Sequence, residues 1–242
     1  MEYLKKINQL KIKIYLDGAD LVSIKSFASN NRIDGFTSNP SLMFQCGISN
    51  YEDFIIDTLK LIDKKPISFE VVSDDLDEIF EQAKRIASFG DNIYVKIPIT
   101  NTRGQSCVDV IKELDHLKIP INVTAIMTSS QAIQVIEKIK EPKNSIILSI
   151  FAGRIADTGL DPKKTFNEVK KYIVKFKNYL TLWASPREIY NLYEADQNGV
   201  DIITITPSIL KKVDFYMRNL EEYSLETVKM FYEDALKNKL II

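Results

Sequence analysis

The feature that most constrains this chain is an alternation: eight short runs of apolar and β-branched residues, each parted from the next by a longer stretch of mostly helical character. The runs are IKIYL (12–16), DGFT (34–37), ISFEVV (67–72), NIYVKI (92–97), INVTAI (121–126), SIILSIF (145–151), YLTLWA (179–184) and DIITI (201–205). Between them, Leu76, Ile79, Phe80, Ala83, Ile86 and Ala87 share one helical face, and Phe166, Val169, Ile173 and Phe176 share another. Strands apolar on both faces and separated by amphipathic helices belong to a parallel sheet covered on both sides.

Eight units of about 30 residues make a single α/β domain, an eight-stranded parallel β/α (TIM) barrel, the architecture that uses the chain most fully. A doubly wound open sheet is the alternative. Residues 1–242 carry no low-complexity linker, composition shift or internal repeat that would mark a second domain. Residues 1–11 read as an N-terminal extension. The segment LETVKMFYEDALK (225–237) is one helix more than a barrel needs, suited to covering the barrel bottom or docking on a neighbouring subunit. Local signals place the helix ends: Ser73 before Asp74 and Asp75, Asp161 before Pro162, and a capping box at Ser185–Glu188 with Pro186 as first helical residue. Gly199 reads as a helix terminator.

Composition then narrows the chemistry. With 32 Lys plus Arg against 33 Asp plus Glu, the net charge of -1 gives no broad basic footprint for nucleic acid and no attraction to anionic membranes, so neither partner is expected. No apolar run nears the roughly 18 residues of a membrane span, and MEYLKKINQLK lacks the core of a secretion signal, so a cytoplasmic protein is expected. Cys46 and Cys107 read as reduced thiols. The single histidine, His116, lies in the polar helical stretch KELDHLK and reads as a solvated residue. That argues against a multi-imidazole metal site and a Ser-His-Asp triad, leaving carboxylates, hydroxyls, amines or a bound cofactor to do any chemistry.

In a β/α barrel the reacting groups sit at the carboxyl ends of the strands. Asp17 ends the first run, Thr37, Ser38 and Asn39 the second, and Glu70 lies within the third. Lys96 is near the end of the fourth, Asn122 and Thr124 are in the fifth, Arg154 follows the sixth, and Ser185 and Arg187 follow the seventh.

Lys96 carries the strongest signal, being the one charged group among the apolar residues of IYVKIPI. A buried strand disfavours an ammonium and favours the neutral amine, the form that attacks a carbonyl to make an imine. The alternative is a strand-end lysine paired with Glu70 and reaching water. Glu70 in turn is either an acid or base in an apolar strand, or half of a structural ion pair. Asp17 is either part of the site or the cap of the next helix. Arg154, Ser185 and Arg187 suit a phosphate seated on the helix starting at Pro186, across the ends of the sixth and seventh strands, or are a capping serine with two solvated arginines.

YLDGAD (15–20), GFTSNPS (35–41), SFEVVS (68–73), YVKIPIT (94–100), INVTAI, SIFAGRI (149–155) and WASPRE (183–188) together resemble the transaldolase family, particularly its short form, which includes fructose 6-phosphate aldolase. The resemblance runs from about Lys11 to the last helix. It implies a class I mechanism with neither metal nor cofactor, acting on small sugar phosphates in a homo-oligomer. Lys96 would form a Schiff base with the C2 ketone of a ketose phosphate, and Asp17 would exchange the proton of the hydroxyl beside the breaking C3–C4 bond. Glu70, through a water held by Thr124, would shuttle protons. Thr37, Ser38, Asn39, Asn122, Ser149 and Phe151 would line the three-carbon fragment, with Asn39, Asn122 and Ser149 holding its hydroxyls, and Arg154, Ser185 and Arg187 would bind the phosphate.

Within the family, Glu70 and Phe151 match transaldolases, where the aldolases usually carry Gln and Tyr. An aldolase releasing free dihydroxyacetone is the alternative activity, and a non-catalytic sugar-phosphate binder the alternative class. This chain departs from the family pattern at Gly18, Ser38, Ile150 and Ala156. Trp183, where a small residue is usual, is expected to narrow the sugar channel.

Overall fold

The computed structural model describes residues 2–239. Its strands are β1 (Lys13–Asp17), β2 (Gly35–Thr37), β3 (Ile67–Glu70), β4 (Ile93–Pro98), β5 (Ile121–Ile126), β6 (Ile146–Ile150), β7 (Tyr179–Trp183) and β8 (Ile202–Ile205). Each pairs in parallel with the next, and β8 pairs with β1, so the sheet closes in the order of the chain and the open-sheet alternative falls. All eight expected runs contain a strand, and each observed strand starts within one residue of its run.

The helices are α1 (Leu21–Ala28), α2 (Pro40–Gln45), α3 (Tyr51–Ile62), α4 (Leu76–Ala87), α5 (Val108–His116) and α6 (Ser129–Lys138), then α7 (Ala152–Asp157), α8 (Pro162–Ile173), α9 (Tyr190–Gln197), α10 (Pro207–Leu210) and α11 (Leu220–Lys237). The jacket follows from amphipathicity. In α4, Ile79, Ala83 and Ile86 are buried against the barrel, Asp77 and Glu78 occupy the first turn and Lys84 and Arg85 the last, which suits the helix dipole. Its cap is Asp75, which accepts from the Asp77 and Glu78 N–H groups, and not Ser73, whose hydroxyl donates to Glu78 instead. Asp161 caps α8 as expected, and Gly199 follows α9 with φ at +61°. His116 is exposed in the last turn of α5.

Side chains alternate in and out along each strand, and the inward set falls into layers. Tyr15, Ile147, Leu182, Ala184 and Ile202 form a compact apolar cluster with Tyr94, Phe151 and Leu180 against it. The Tyr15 ring fits because residue 35 is glycine: a Cβ there would lie 2.7 Å from that ring. One step further along the inward positions the layer turns polar, with Asp17, Thr37, Glu70, Lys96, Asn122, Ser149 and Thr204. The apolar layer is therefore a floor on which the polar layer rests.

Trp183 belongs to the other face. It is buried, and its indole stacks on Phe166 of α8 with centroids 5.0 Å apart and planes 5° apart. Inward and outward alternate, so the neighbour Ala184 lines the barrel mouth and Trp183 does not narrow it.

The N-terminal extension is a 3-10 turn (Glu2–Ile7) with Leu4 and Ile7 buried. It packs against a second 3-10 turn (Lys211–Phe215), where Lys6 donates to the Asp214 carbonyl at 2.8 Å. The expected extra helix is longer than 225–237: α11 spans Leu220–Lys237 and buries none of its residues. Among the described residues no helix is long and apolar enough to cross a membrane.

Candidate active site

Parallel register sets the polar layer. Asp17 pairs with Thr37 across β1 and β2, Glu70 with Lys96 across β3 and β4, and Lys96 with Asn122 across β4 and β5. Residues far apart in the chain thereby stand side by side at the carboxyl end of the barrel, around a cavity of about 610 Å³. Every residue expected at the site lines this cavity except Ser38. Ser38 follows the inward Thr37, so its side chain turns away and is buried, its hydroxyl without a hydrogen-bond partner among the described residues. Only its carbonyl serves the site, accepting from Lys96 at 3.1 Å.

Lys96 Nζ lies 3.1 Å from Glu70 Oε2, with side-chain exposures of 8% and 18%. The pairing foreseen as the structural alternative thus exists, and it exists inside the cavity. A buried ion pair contributes little net stability, because desolvation offsets the Coulomb gain, so burial of this pair is weak evidence of a structural role. A proton can pass directly between the two groups at that distance.

Asp17 is not a helix cap. Asp20 fills that role, accepting from Val22 and Ser23 N–H, which leaves the Asp17 carboxylate facing the cavity. Thr37 Oγ1 donates to Asp17 Oδ1 at 2.8 Å and is in contact with Thr204 Oγ1; the proton of Thr37 being committed, Thr204 is the donor of that second bond. Burial pushes the Asp17 carboxyl up from the ordinary range, and the Lys96 charge and the Thr37 hydrogen bond offset part of that rise.

On the opposite wall Ser149 Oγ donates to Asn122 Oδ1 at 2.6 Å, and Asn122 Nδ2 donates to Ser68 Oγ at 2.9 Å. These bonds fix the amide orientation and leave one Asn122 N–H for the cavity. Thr124 Oγ1 is buried with no hydrogen-bond partner among the described residues. After it β5 bulges: Ala125 takes φ +60°, the register with β6 shifts, and Ala125 joins the cavity wall. Asn39 caps α2 through its Oδ1, which accepts from Leu42 N–H at 3.0 Å.

The anion corner differs most from expectation. Helix α9 starts at Tyr190, so the Ser185–Glu188 capping box and a helix amino end at Pro186 do not exist. Ser185 has φ +61°, and the Arg187 and Glu188 N–H groups are taken by Asn191 Oδ1 at 2.8 and 3.2 Å. The turn lies so close to α7 that a Cβ on Gly153 would stand 1.6 Å from the Ser185 carbonyl oxygen. Arg154, Ser185 and Arg187 nevertheless all line the cavity. The Arg154 guanidinium stands 5.5 Å from the centroid of the Phe151 ring, within cation–π range, and Arg187 pairs with Asp157.

A family model described as Transaldolase/Fructose-6-phosphate aldolase matches residues 14–239. The chain belongs to that family. A probable transaldolase of Nitrosopumilus maritimus is 34% identical over 204 residues, covering 84% of this chain and 87% of the relative. One from Thermoplasma volcanium is 33% identical over 206 residues, covering 83% and 86%. In these transaldolase relatives the match thus spans most of both chains. Among solved structures, KGPDC from Streptococcus mutans superimposes with a TM-score of 0.52 at 18% identity (84% and 90% covered). An orotidine 5'-monophosphate decarboxylase from Metallosphaera sedula gives 0.54 at 10% (87% and 98%). At such identities both show the barrel alone.

Sequence reasoning missed several cavity residues: Ser41, Leu42 and Gln45 of α2, with Ala184 and Thr204. Thr204 was within reach of the alternation rule, since it lies two residues after the inward Ile202. The α2 residues carry no such signal, because a helix of under two turns inserted after β2 is too short for a periodicity of its own to be read.

Proposed function

We propose that this protein is a transaldolase, moving a dihydroxyacetone unit from a ketose phosphate to an aldose phosphate through a Schiff base on Lys96. The observation that carries the reading is a buried lysine 3.1 Å from a carboxylate, among hydroxyls and amides, in a cavity whose rim holds two arginines.

The steps use the chain's own groups. Glu70 takes the Lys96 proton, and the neutral amine adds to the C2 carbonyl. The carbinolamine hydroxyl takes a proton from Glu70, through a water held by Thr124, and leaves as water to give the iminium. Asp17 removes the proton of the C4 hydroxyl, the C3–C4 bond breaks, and its electron pair flows to the iminium nitrogen, giving an enamine and a free aldose phosphate. An incoming aldehyde reverses the sequence, and water finally releases the product from Lys96. Asn39, Asn122 and Ser149 hold the fragment's hydroxyls, while Arg154, Ser185 and Arg187 hold the phosphate. Asp17 suits its part because a carboxylate made more basic by burial accepts a proton more readily than an ordinary aspartate.

Borohydride reduction in the presence of fructose 6-phosphate is expected to fix an adduct on Lys96, located by peptide mass spectrometry. An unmodified Lys96, with Lys96→Met binding sugar phosphate as the wild type does, would instead mark a non-catalytic binder. Glu70 and Phe151 favour transfer over release of free dihydroxyacetone: a carboxylate and a ring without a phenol offer released water less help than an amide with a phenol. Turnover of fructose 6-phosphate is therefore expected to require erythrose 4-phosphate or another aldose acceptor. Equal accumulation of dihydroxyacetone without acceptor would assign the aldolase activity.

A further inference from the structure

The Arg187 guanidinium is held along one edge. Its Nε donates to Asp157 Oδ1 and Oδ2 at 3.0 and 3.1 Å, and its Nη2 also donates to Oδ2. Its Nη1 has no acceptor among the described residues. The backbone is held too, through the bond from Arg187 N–H to Asn191. A guanidinium carries five N–H donors in one plane, so a carboxylate on the Nε–Nη2 edge leaves the Nη1–Nη2 edge for a second anion. Asp157 itself does not line the cavity, whereas Arg154 and Arg187 do. It ends α7, three residues after Arg154, and stands within the field of both cations, which hold its carboxyl below the usual range, Arg187 foremost.

We propose that Asp157 is a positioning residue for the anion subsite, fixing Arg187 by one edge at the cavity rim so that the other edge receives the substrate phosphate. The inference rests on the phosphate reading above. The competing idea, that Asp157 rivals the phosphate for Arg187, requires both anions to seek the same edge. The bidentate geometry gives each its own. Side-chain exposures of 48% for Arg187 and 52% for Asp157 keep the effect small. Exposed pairs of this kind shift an affinity by at most about fivefold.

Titration calorimetry with inorganic phosphate tests this without requiring turnover. Asp157→Ala is expected to weaken phosphate binding about twofold to fivefold, Asp157→Asn less, and Asp157→Glu to restore part of the loss. The KM for fructose 6-phosphate should rise in parallel while kcat stays within about twofold, a split that general loosening of the fold would not produce. Should Asp157→Ala lose its cooperative melting, the isosteric Asp157→Asn carries the test. A wild type that binds phosphate while all three variants bind it equally well, or more tightly, overturns the positioning role alone. A wild type that binds no phosphate overturns the phosphate reading and this inference with it.

Discussion

Replacing Gly153 by alanine sets two physical effects against each other. Gly153 is helical, in α7, and helix propensity alone would make alanine more stable by about 1 kcal/mol. The contact across to the turn after β7 opposes that gain. The added Cβ would lie 1.6 Å from the Ser185 oxygen, 2.8 Å from the Ser185 carbonyl carbon and 3.3 Å from Arg187 Cγ. Bringing the first contact out to 3.0 Å requires the two segments to part by about 1.4 Å. Neither side yields cheaply, because Ser185 sits in a left-handed turn and Arg187 is tied to Asn191 and Asp157. Overpacking of this kind costs about 1–3 kcal/mol. Set against the propensity gain, the net loss is up to about 2 kcal/mol, and at about 2–4 °C per kcal/mol for a chain of this size the melting temperature should fall by up to about 8 °C. The displaced residues are those proposed to hold the phosphate, so the KM for fructose 6-phosphate should rise, and misplacement by about 1 Å can lower the rate by up to about a hundredfold. Circular dichroism melting and steady-state kinetics measure both. A Gly153→Ala protein that melts at or above the wild-type temperature with KM within about twofold would refute the close approach of α7 and the turn after β7.

Three further outcomes follow from the same structure. Because burial raises the Asp17 carboxyl and the base must be ionised, the acid limb of kcat/KM should lie above the range near 3.9 of a free aspartate. Asp17→Asn should lower the rate by about 10²–10⁴-fold. In the folded chain Asp17 binds its proton more tightly than in the unfolded chain, so its stabilising part holds below the unfolded pKa and is lost as pH rises through the folded one; Asp17→Asn should therefore melt higher than wild type at neutral pH, and a lower melting point would contradict the sign. Trp183→Phe, which keeps a ring against Phe166, should lower stability by about 1–3 kcal/mol in denaturant titration yet leave KM within about twofold, since the indole faces α8; a tenfold rise in KM would place it in the sugar channel after all. We also propose a homo-oligomer with α11 at the contact between copies, because Leu225, Val228, Phe231, Tyr232 and Leu236 are all exposed on it. Light scattering should give a multiple of the chain mass, reduced by Phe231→Glu; a monomeric wild type would end that proposal.

The barrel was legible because a parallel strand covered on both faces must be apolar almost throughout, and that pattern depends on few other parts of the chain. Lys96 was legible for the converse reason, as a charge where such a strand tolerates none. What misled was local grammar. SPRE at 185–188 has the spacing of a capping box, but the chain leaving β7 must pass under Gly153, and the left-handed Ser185 that permits this turn postpones the helix to Tyr190. Trp183 misled because its size was weighed without its parity; Leu182 is part of the cluster inside the barrel, so its neighbour has to point out. The partner of Arg187 lies thirty residues away on α7, and nothing in the spacing of charges selects Asp157.

The bulge in β5 has a bearing on how this scaffold could be re-engineered. An alanine held at φ +60° stores roughly 1–2 kcal/mol that a glycine would release, so the reaction chamber contains a spring set in its own wall. Relaxing it would give a tougher protein with one methyl less on the cavity wall beside Thr124. Heat tolerance and substrate width are thus coupled at Ala125, and a library that selects for the first should recover broader acceptors without having been asked for them.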